Sequence, residues 1–158
     1  MQIRRFQPQD TEQIAWLVHN TVRQINIQDY SNSQIAAWSS DNIYFRDWLK
    51  VCGSRFTYVA VEERQILGFG ELESNGHIDC FYVHHHYQRQ GIGKSIYQAI
   101  EFKAQELNLT RLFTAVSITA KPFFVSQGFE IVNRQQVYCR GETFINYLMT
   151  KDIHSDFI

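Results

Sequence analysis

The scarcities in this chain exclude several classes of protein at once. Its three cysteines, Cys52, Cys80 and Cys139, are odd in number and far apart. They offer neither a CxxC metal or redox pair nor a disulfide framework, so a reducing cytosol is the expected compartment. Prolines number only 2, and no Pro/Gly-rich linker, low-complexity tract or internal repeat interrupts the 158 residues. They read as one continuous domain large enough for a real core. No apolar run is long enough to cross a bilayer, and Met1-Gln2-Ile3-Arg4-Arg5-Phe6 lacks the apolar segment of a secretory signal. An excess of charge is also missing: 15 Lys and Arg stand against 16 Asp and Glu, a net charge of -1. Neither nucleic acid nor a membrane surface is an expected partner.

What the chain has in quantity is aromatic side chains, 15% of all residues, more than a plain core needs. Some of them are expected to line a pocket. The apolar pattern predicts a short strand at Ile3 to Phe6, then a helix begun by Pro8 and Asp10 that carries Ile14, Leu17, Val18, Thr21 and Val22 on one stripe. One or two short helices are expected between Ile25 and Lys50. Three antiparallel strands follow, Phe56 to Glu62, Ile66 to Glu73 and His77 to His84, with turns at Arg64-Gln65 and at the two-residue hairpin signal Asn75-Gly76. A long helix then ends near Asn108, with Ile96, Ile100, Lys103, Ala104 and Leu107 on its stripe. Leu112 to Ser117 is a strand, Thr119 to Gln127 a short helix stopped by Gly128, and Phe129 to Tyr138 with Thr143 to Thr150 a closing hairpin about Arg140-Gly141. This order predicts an α/β (α+β) fold, a mixed and largely antiparallel sheet of six to seven strands with helices on both faces. The tail His154-Ser155-Asp156 before Phe157-Ile158 is expected to be loosely ordered.

The segment richest in chemistry runs Asp79-Cys80-Phe81-Tyr82-Val83-His84-His85-His86-Tyr87-Gln88-Arg89-Gln90-Gly91-Ile92-Gly93-Lys94-Ser95. It is a strand, a polar connection, and two glycines opening a helix. Glycine lets backbone approach a ligand, and the first turn of a helix presents unpaired N–H groups at the positive end of its dipole. Together they make a pyrophosphate cradle, to which Arg89 and Lys94 add charge. A dinucleotide fingerprint would need glycine or alanine where Ile96 stands, and a Walker A loop would need glycine at Gln88. Both fail on a required residue. The run His84-His85-His86 suggests a metal, but alternation along a strand would point adjacent rings to opposite faces. No metal is expected, and the three read as exposed turn histidines.

The pattern that fits is Gln/Arg-x-x-Gly-x-Gly/Ala over Gln88 to Gly93. Here the chain resembles the GNAT superfamily of acetyl-CoA-dependent N-acetyltransferases. A second stretch, Ala120-Lys121-Pro122-Phe123-Phe124-Val125-Ser126-Gln127-Gly128-Phe129, is similar to that family's second signature, usually Ala-x-x-Phe-Tyr-x-x-x-Gly-Phe. The element order from Met1 to Lys151 agrees, so the resemblance implies one N-acetyltransferase domain over residues 1–158.

The resemblance implies acetyl-CoA as co-substrate, no metal, and direct attack of an amine on the thioester. Gln88, Arg89, Gln90, Gly91, Ile92, Gly93, Lys94 and Ser95 are the expected pyrophosphate turn. Phe81, Tyr82 and Val83, on a strand expected to splay from its neighbour, are the expected partners of the pantetheine arm, with the Phe81 N–H as oxyanion donor, a group whose loss costs about 3 kcal/mol of transition-state stabilisation. An alkylammonium titrates near ~10.4, so a base must act on it. Asp79 leads the candidates, with His77, Glu71 and Glu73 beside it.

Two residues depart from the pattern. Phe124 replaces the tyrosine proposed to protonate the leaving thiolate, with Tyr138 or Tyr82 as possible substitutes. Ser117 stands where many relatives have a cofactor-contacting asparagine, and either that contact or a helix cap accounts for it. The acceptor region is expected among Tyr30, Trp38, Tyr44, Trp48, Tyr138 and Tyr147, with Asp29, Asp41 and Glu142. Three functions compete: acetylation of a small-molecule or peptide amine, acetylation of a protein lysine or N-terminus, and a non-catalytic acyl-CoA-binding module. Longer acyl chains are also open. The expected state is a monomer, or a homodimer through the last hairpin.

Overall fold

The computed structural model describes residues 1–154. Of the tail expected to be loosely ordered, residues 155–158 lie outside that range. Seven strands fall into two antiparallel sheets. The first has the order β1-β2-β3-β4, comprising β1 (Gln2–Arg5), β2 (Phe56–Glu62), β3 (Gln65–Leu72) and β4 (Ile78–Val83). The second has the order β5-β7-β6, comprising β5 (Arg111–Ser117), β6 (Glu130–Cys139) and β7 (Glu142–Asp152). The expected mixed, largely antiparallel arrangement is borne out, its seven strands among the described residues forming two antiparallel sheets joined through one parallel bridge, His77 to Phe113.

Helices cover both faces, as the pattern predicts. On one side α1 (Thr11–Gln24), α2 (Asn32–Trp38) and α3 (Trp48–Gly53) pack against Val59, Ile66 and Phe69. The stripe read from sequence on α1, Ile14, Leu17, Val18, Thr21 and Val22, is wholly buried. On the other side α4 (Ile92–Glu106) and α5 (Lys121–Ser126) pack against Leu67, Ile78, Leu112, Val116 and Met149. A separate 3₁₀ turn, Pro8–Asp10, precedes α1, and Asp10 is fixed there by Arg4 at 2.8 and 2.9 Å.

The turns differ from expectation in detail. The β2–β3 turn is Glu63-Arg64, one residue earlier than read, with both residues at positive φ. That is the primed geometry whose twist matches the strands. Asn75-Gly76 is part of a three-residue loop, because Glu73 N–H donates to His77 O at 2.8 Å and only Gly76 carries positive φ, +97°. Arg140-Gly141 closes β6 and β7 as a two-residue turn, as predicted.

Candidate active site

The site is made by strands that start together and part. Beyond the His77–Phe113 bridge, Phe113 N–H donates to Gly76 O at 3.0 Å and Thr114 Oγ1 to Ile78 O at 2.8 Å. From there β4 and β5 share no further bridge. Carrying the bridge register along places Phe81 opposite Ser117 across the opening.

Which groups line that opening follows from the pairing of β4 with β3. His84 N–H donates to Leu67 O at 2.8 Å, in register with Phe69–Tyr82 and Gly68–Val83. In an antiparallel ladder bonded and non-bonded pairs alternate, so Tyr82 faces β3 while Phe81 and Val83 turn their N–H and C=O outward. Val83 O is already taken, by Gln88 Nε2 at 2.7 Å and Thr21 Oγ1 at 3.2 Å. The N–H groups of Phe81 and Val83 and the Phe81 carbonyl form an open strand edge.

At the end of this edge lies the start of α4. Gly91 is its N-cap at φ +80°, a conformation only glycine adopts freely, and a Cβ placed there would meet no atom within 4 Å. Gly91 is exposed, and the space beside it is open. Gly93 serves differently: a Cβ there would lie 3.0 Å from the Phe123 ring, so its smallness lets α4 and α5 close on each other. A cleft of about 1380 Å³ joins the strand edge to this turn.

The structure sorts the residues of the expected cofactor site. Phe81, Tyr82, Val83, Gln88, Arg89, Gly91, Ile92, Gly93, Lys94, Ser117 and Phe124 line the cleft; Gln90 and Ser95 do not. Ser95 Oγ turns back to Gly91 O at 3.1 Å. Gln88 braces the loop through Val83 O and does not reach outward. Ser117 Oγ accepts the Ala120 N–H at 3.0 Å, fixing the turn before α5, whose N-cap is Ala120 itself. Phe124 is buried among Phe81, Phe123 and Phe129.

The expected bases each have defined partners in the structure. Glu71 is fully buried and lies outside the cleft lining, held by Arg46 at 2.9 and 3.3 Å with Arg55 at 3.5 Å. Asp79 lines the cleft, but Arg46 at 3.0 Å and Arg55 at 2.5 Å occupy its Oδ2. Burial works to raise its pKa, yet the Arg55 hydrogen bond and the two positive charges prevail and hold the carboxyl below the ordinary aspartate range. A carboxylate so stabilised is a weak proton acceptor. His77 pairs with Glu73 and stacks on Phe113, and neither His77 nor Glu73 lines the cleft. Tyr138, 76% exposed on β6, does not line it. Glu71, Asp79 and Cys80 bring three potential ligand atoms within 4.8 Å of one another, but the two guanidiniums already answer both carboxylates.

Arg46 and Arg55 are the residues sequence reasoning missed. No motif marks them, because their partners come from strands β3 and β4, far along the chain. The histidine run lies in the turn after β4, which ends at Val83, so strand alternation does not separate its rings: His84 and His85 stack with centroids 4.5 Å apart, and His86 is tilted against both at 5.5 and 4.1 Å. His84 Nδ1 accepts the His86 N–H at 3.1 Å.

Of the expected acceptor residues, Tyr30, Trp38, Tyr147 and Asp29 line the cleft. Trp48 is core, Tyr44 is exposed, and Asp41 is paired with Arg23 at the surface. Glu142 is likewise absent from the cleft lining. Sequence reasoning singled out neither Phe144 nor Asn146, both of which line the cleft from β7.

An open strand edge leading to a glycine-started helix suits an extended ligand whose pyrophosphate rests on the helix start. Comparison with known proteins agrees. The family model described as "Acetyltransferase (GNAT) domain" matches residues 26–151. YafP of Escherichia coli (strain K12), an uncharacterized N-acetyltransferase, is 33% identical over 150 residues, 94% of each chain. A GCN5-related N-acetyltransferase structure from Rhodopseudomonas palustris superposes with a TM-score of 0.90 at 28% identity, covering 96% of this chain and 95% of that one. The PaiA N-acetyltransferase of Thermoplasma acidophilum, solved with coenzyme A, shares the fold at TM-score 0.79 and 16% identity, covering 96% and 98%. The chain belongs to the GNAT family and is an N-acetyltransferase. Among the described residues no helix is long and apolar enough to cross a membrane.

Proposed function

We propose that this enzyme transfers an acetyl group from acetyl-CoA to a primary amine of a small molecule by direct attack in the cleft between β4 and β5. The observation that carries the reading is the open β4 edge at Phe81, which shares one cleft with the glycine turn at Gly91. The N–H groups at the start of α4, with Arg89 and Lys94, suit the pyrophosphate. The Val83 N–H and Phe81 C=O suit the pantetheine amides, and the Phe81 N–H suits the developing oxyanion. That PaiA was solved with coenzyme A in the same fold supports this use of the cleft.

A small acceptor is favoured over a protein segment by the way the acceptor side is walled. Arg140 Nη1 donates to Ala37 O at 2.7 Å and Trp38 O at 3.4 Å, drawing the β6–β7 turn onto α2. A homodimer, if one forms, would use the edge strand β6, where Ile131 and Val132 are exposed.

The test is amine-dependent release of coenzyme A thiol from acetyl-CoA across a panel of small amines and lysine peptides. Turnover confined to small amines is expected. Preference for the peptides would favour the protein-acetylating reading, and binding without turnover would leave an acyl-CoA-binding module. In the same assay Asp79→Asn is expected to lower kcat by less than ~10-fold, because a positioned base would be worth roughly 10²–10⁴-fold. A loss of that larger size would restore Asp79 as the base.

A further inference from the structure

The acceptor half of the cleft is aromatic. Tyr30, Trp38 and Phe144 meet in pairs with ring centroids 5.3, 5.9 and 6.2 Å apart, two of the three contacts edge to face. Tyr82 adjoins them, its hydroxyl accepting Trp38 Nε1–H at 3.1 Å. All four rings line the cleft. Such walls suit a flat, apolar body.

The same half offers little to take a proton. Of the two carboxylates lining the cleft, Asp79 is held by Arg46 and Arg55. Asp29 stands exposed at the rim and accepts the Thr119 hydroxyl at 2.8 Å. The cations are remote from this purpose: Arg89 and Lys94 flank the start of α4, and Lys121 lies 4.4 Å over the Tyr147 ring. Tyr30 gives its O–H to Ile145 O and accepts the Ile118 N–H, while burial pushes the Tyr82 hydroxyl and the Cys80 thiol up so that both keep their protons. Cys139 Sγ is turned to Ala37 O. No histidine is among the lining residues described.

We propose that the acceptor is an aromatic amine, its nitrogen carried directly on a flat ring that lies against the cleft side of the packed Tyr30, Trp38 and Phe144 rings. This deepens the acetyl-transfer reading and rests on it. An alkylamine is almost wholly protonated at neutral pH, since its ammonium titrates near ~10.4, and it needs a base before it can attack. An amine whose lone pair is delocalised into a ring is far less basic and arrives neutral. Its nitrogen attacks the thioester carbon, the C–N bond forms, and the C–S bond breaks with its electron pair on sulfur. The proton shed by nitrogen passes through water to the thiolate, giving the N-aryl acetamide and free coenzyme A thiol. The departure at Phe124 fits the same chemistry: a weakly basic nitrogen, once bonded to the acyl carbon, is a strong acid and supplies the proton that a tyrosine would otherwise give.

The experiment compares p-anisidine with 2-phenylethylamine at an acetyl-CoA concentration shown by calorimetry to saturate the enzyme, between about pH 6 and 9. For p-anisidine kcat/KM is expected to be flat; for 2-phenylethylamine it rises about tenfold per pH unit, following the free amine. At neutral pH p-anisidine is expected to lead by at least ~10-fold. Asp29→Asn is expected to keep the flat p-anisidine profile. Three results would overturn the proposal while leaving acetyl transfer standing: preference for 2-phenylethylamine with a plateau set by an enzyme group, no acetylation of p-anisidine although acetyl-CoA binds, or loss of activity with a changed profile in Asp29→Asn. Failure of acetyl-CoA to bind would remove the underlying reading and this proposal together.

Discussion

Replacing Gly91 by Trp is expected to weaken acetyl-CoA binding by ~100-fold or more, about 3 kcal/mol, while the protein stays folded. The side chain would project into the space where no atom lies within 4 Å, the volume assigned to the pyrophosphate. Binding through a helix start depends on close approach to its N–H groups, so an indole in that space removes both contact and access. A separate penalty of roughly 1–2 kcal/mol falls on stability, because Gly91 holds φ +80° and an L-residue is strained there. Gly91→Ala isolates that penalty: it carries the same backbone strain with little bulk and should bind acetyl-CoA far better than the Trp variant. Calorimetric titration of the three proteins, with circular dichroism to confirm folding, checks the expectation. Equal binding by wild type and Gly91→Trp would move the pyrophosphate elsewhere.

The other large effect concerns stability. Arg46→Met is expected to destabilise the fold by about 3 kcal/mol, since removing one partner of a buried ion pair leaves the other charged without compensation. Glu71 is fully buried, and Arg46 supplies its two hydrogen bonds of 2.9 and 3.3 Å. Arg55, at 3.5 Å from Glu71, replaces only part of that interaction. Arg46 also binds Asp79 and stacks 4.8 Å over the Trp48 ring, so it ties the α2–α3 connection to β3 and β4. The double variant Arg46→Met, Glu71→Leu should recover most of the loss, because two apolar groups in place of a buried pair cost little. Urea midpoints at unchanged slope measure both. A single variant as stable as wild type would show the pair to be solvated.

Much of the fold was legible because its signals are local. The α1 stripe, the Glu62 end of β2, the Gly128 stop after α5 and the Arg140-Gly141 turn each depend on a few neighbouring residues, and each stands where the pattern put it. The glycine turn was legible for the same reason, its cap and helix lying within one stretch. The parting of the strands after one parallel bridge came only from the family resemblance and not from any local pattern, since His77 and Phe113 are distant in the chain. The fate of Asp79 was hidden. Alternation along β4 says which face a carboxylate takes, but not that Arg46 and Arg55, from segments with no periodicity, converge on it. The histidine run does lie in a turn, as read, but strand alternation was the wrong reason for it, since β4 ends at Val83.

The central claim is that the free strand edge at Phe81 receives the thioester. It is tested most directly by following the Phe81 amide resonance in ¹⁵N-labelled protein while acetyl-CoA is titrated in. A downfield shift of the Phe81 amide proton, with the Tyr82 amide (already bonded to β3) moving much less, is the expected result. Saturable binding that leaves Phe81 unmoved would contradict the account.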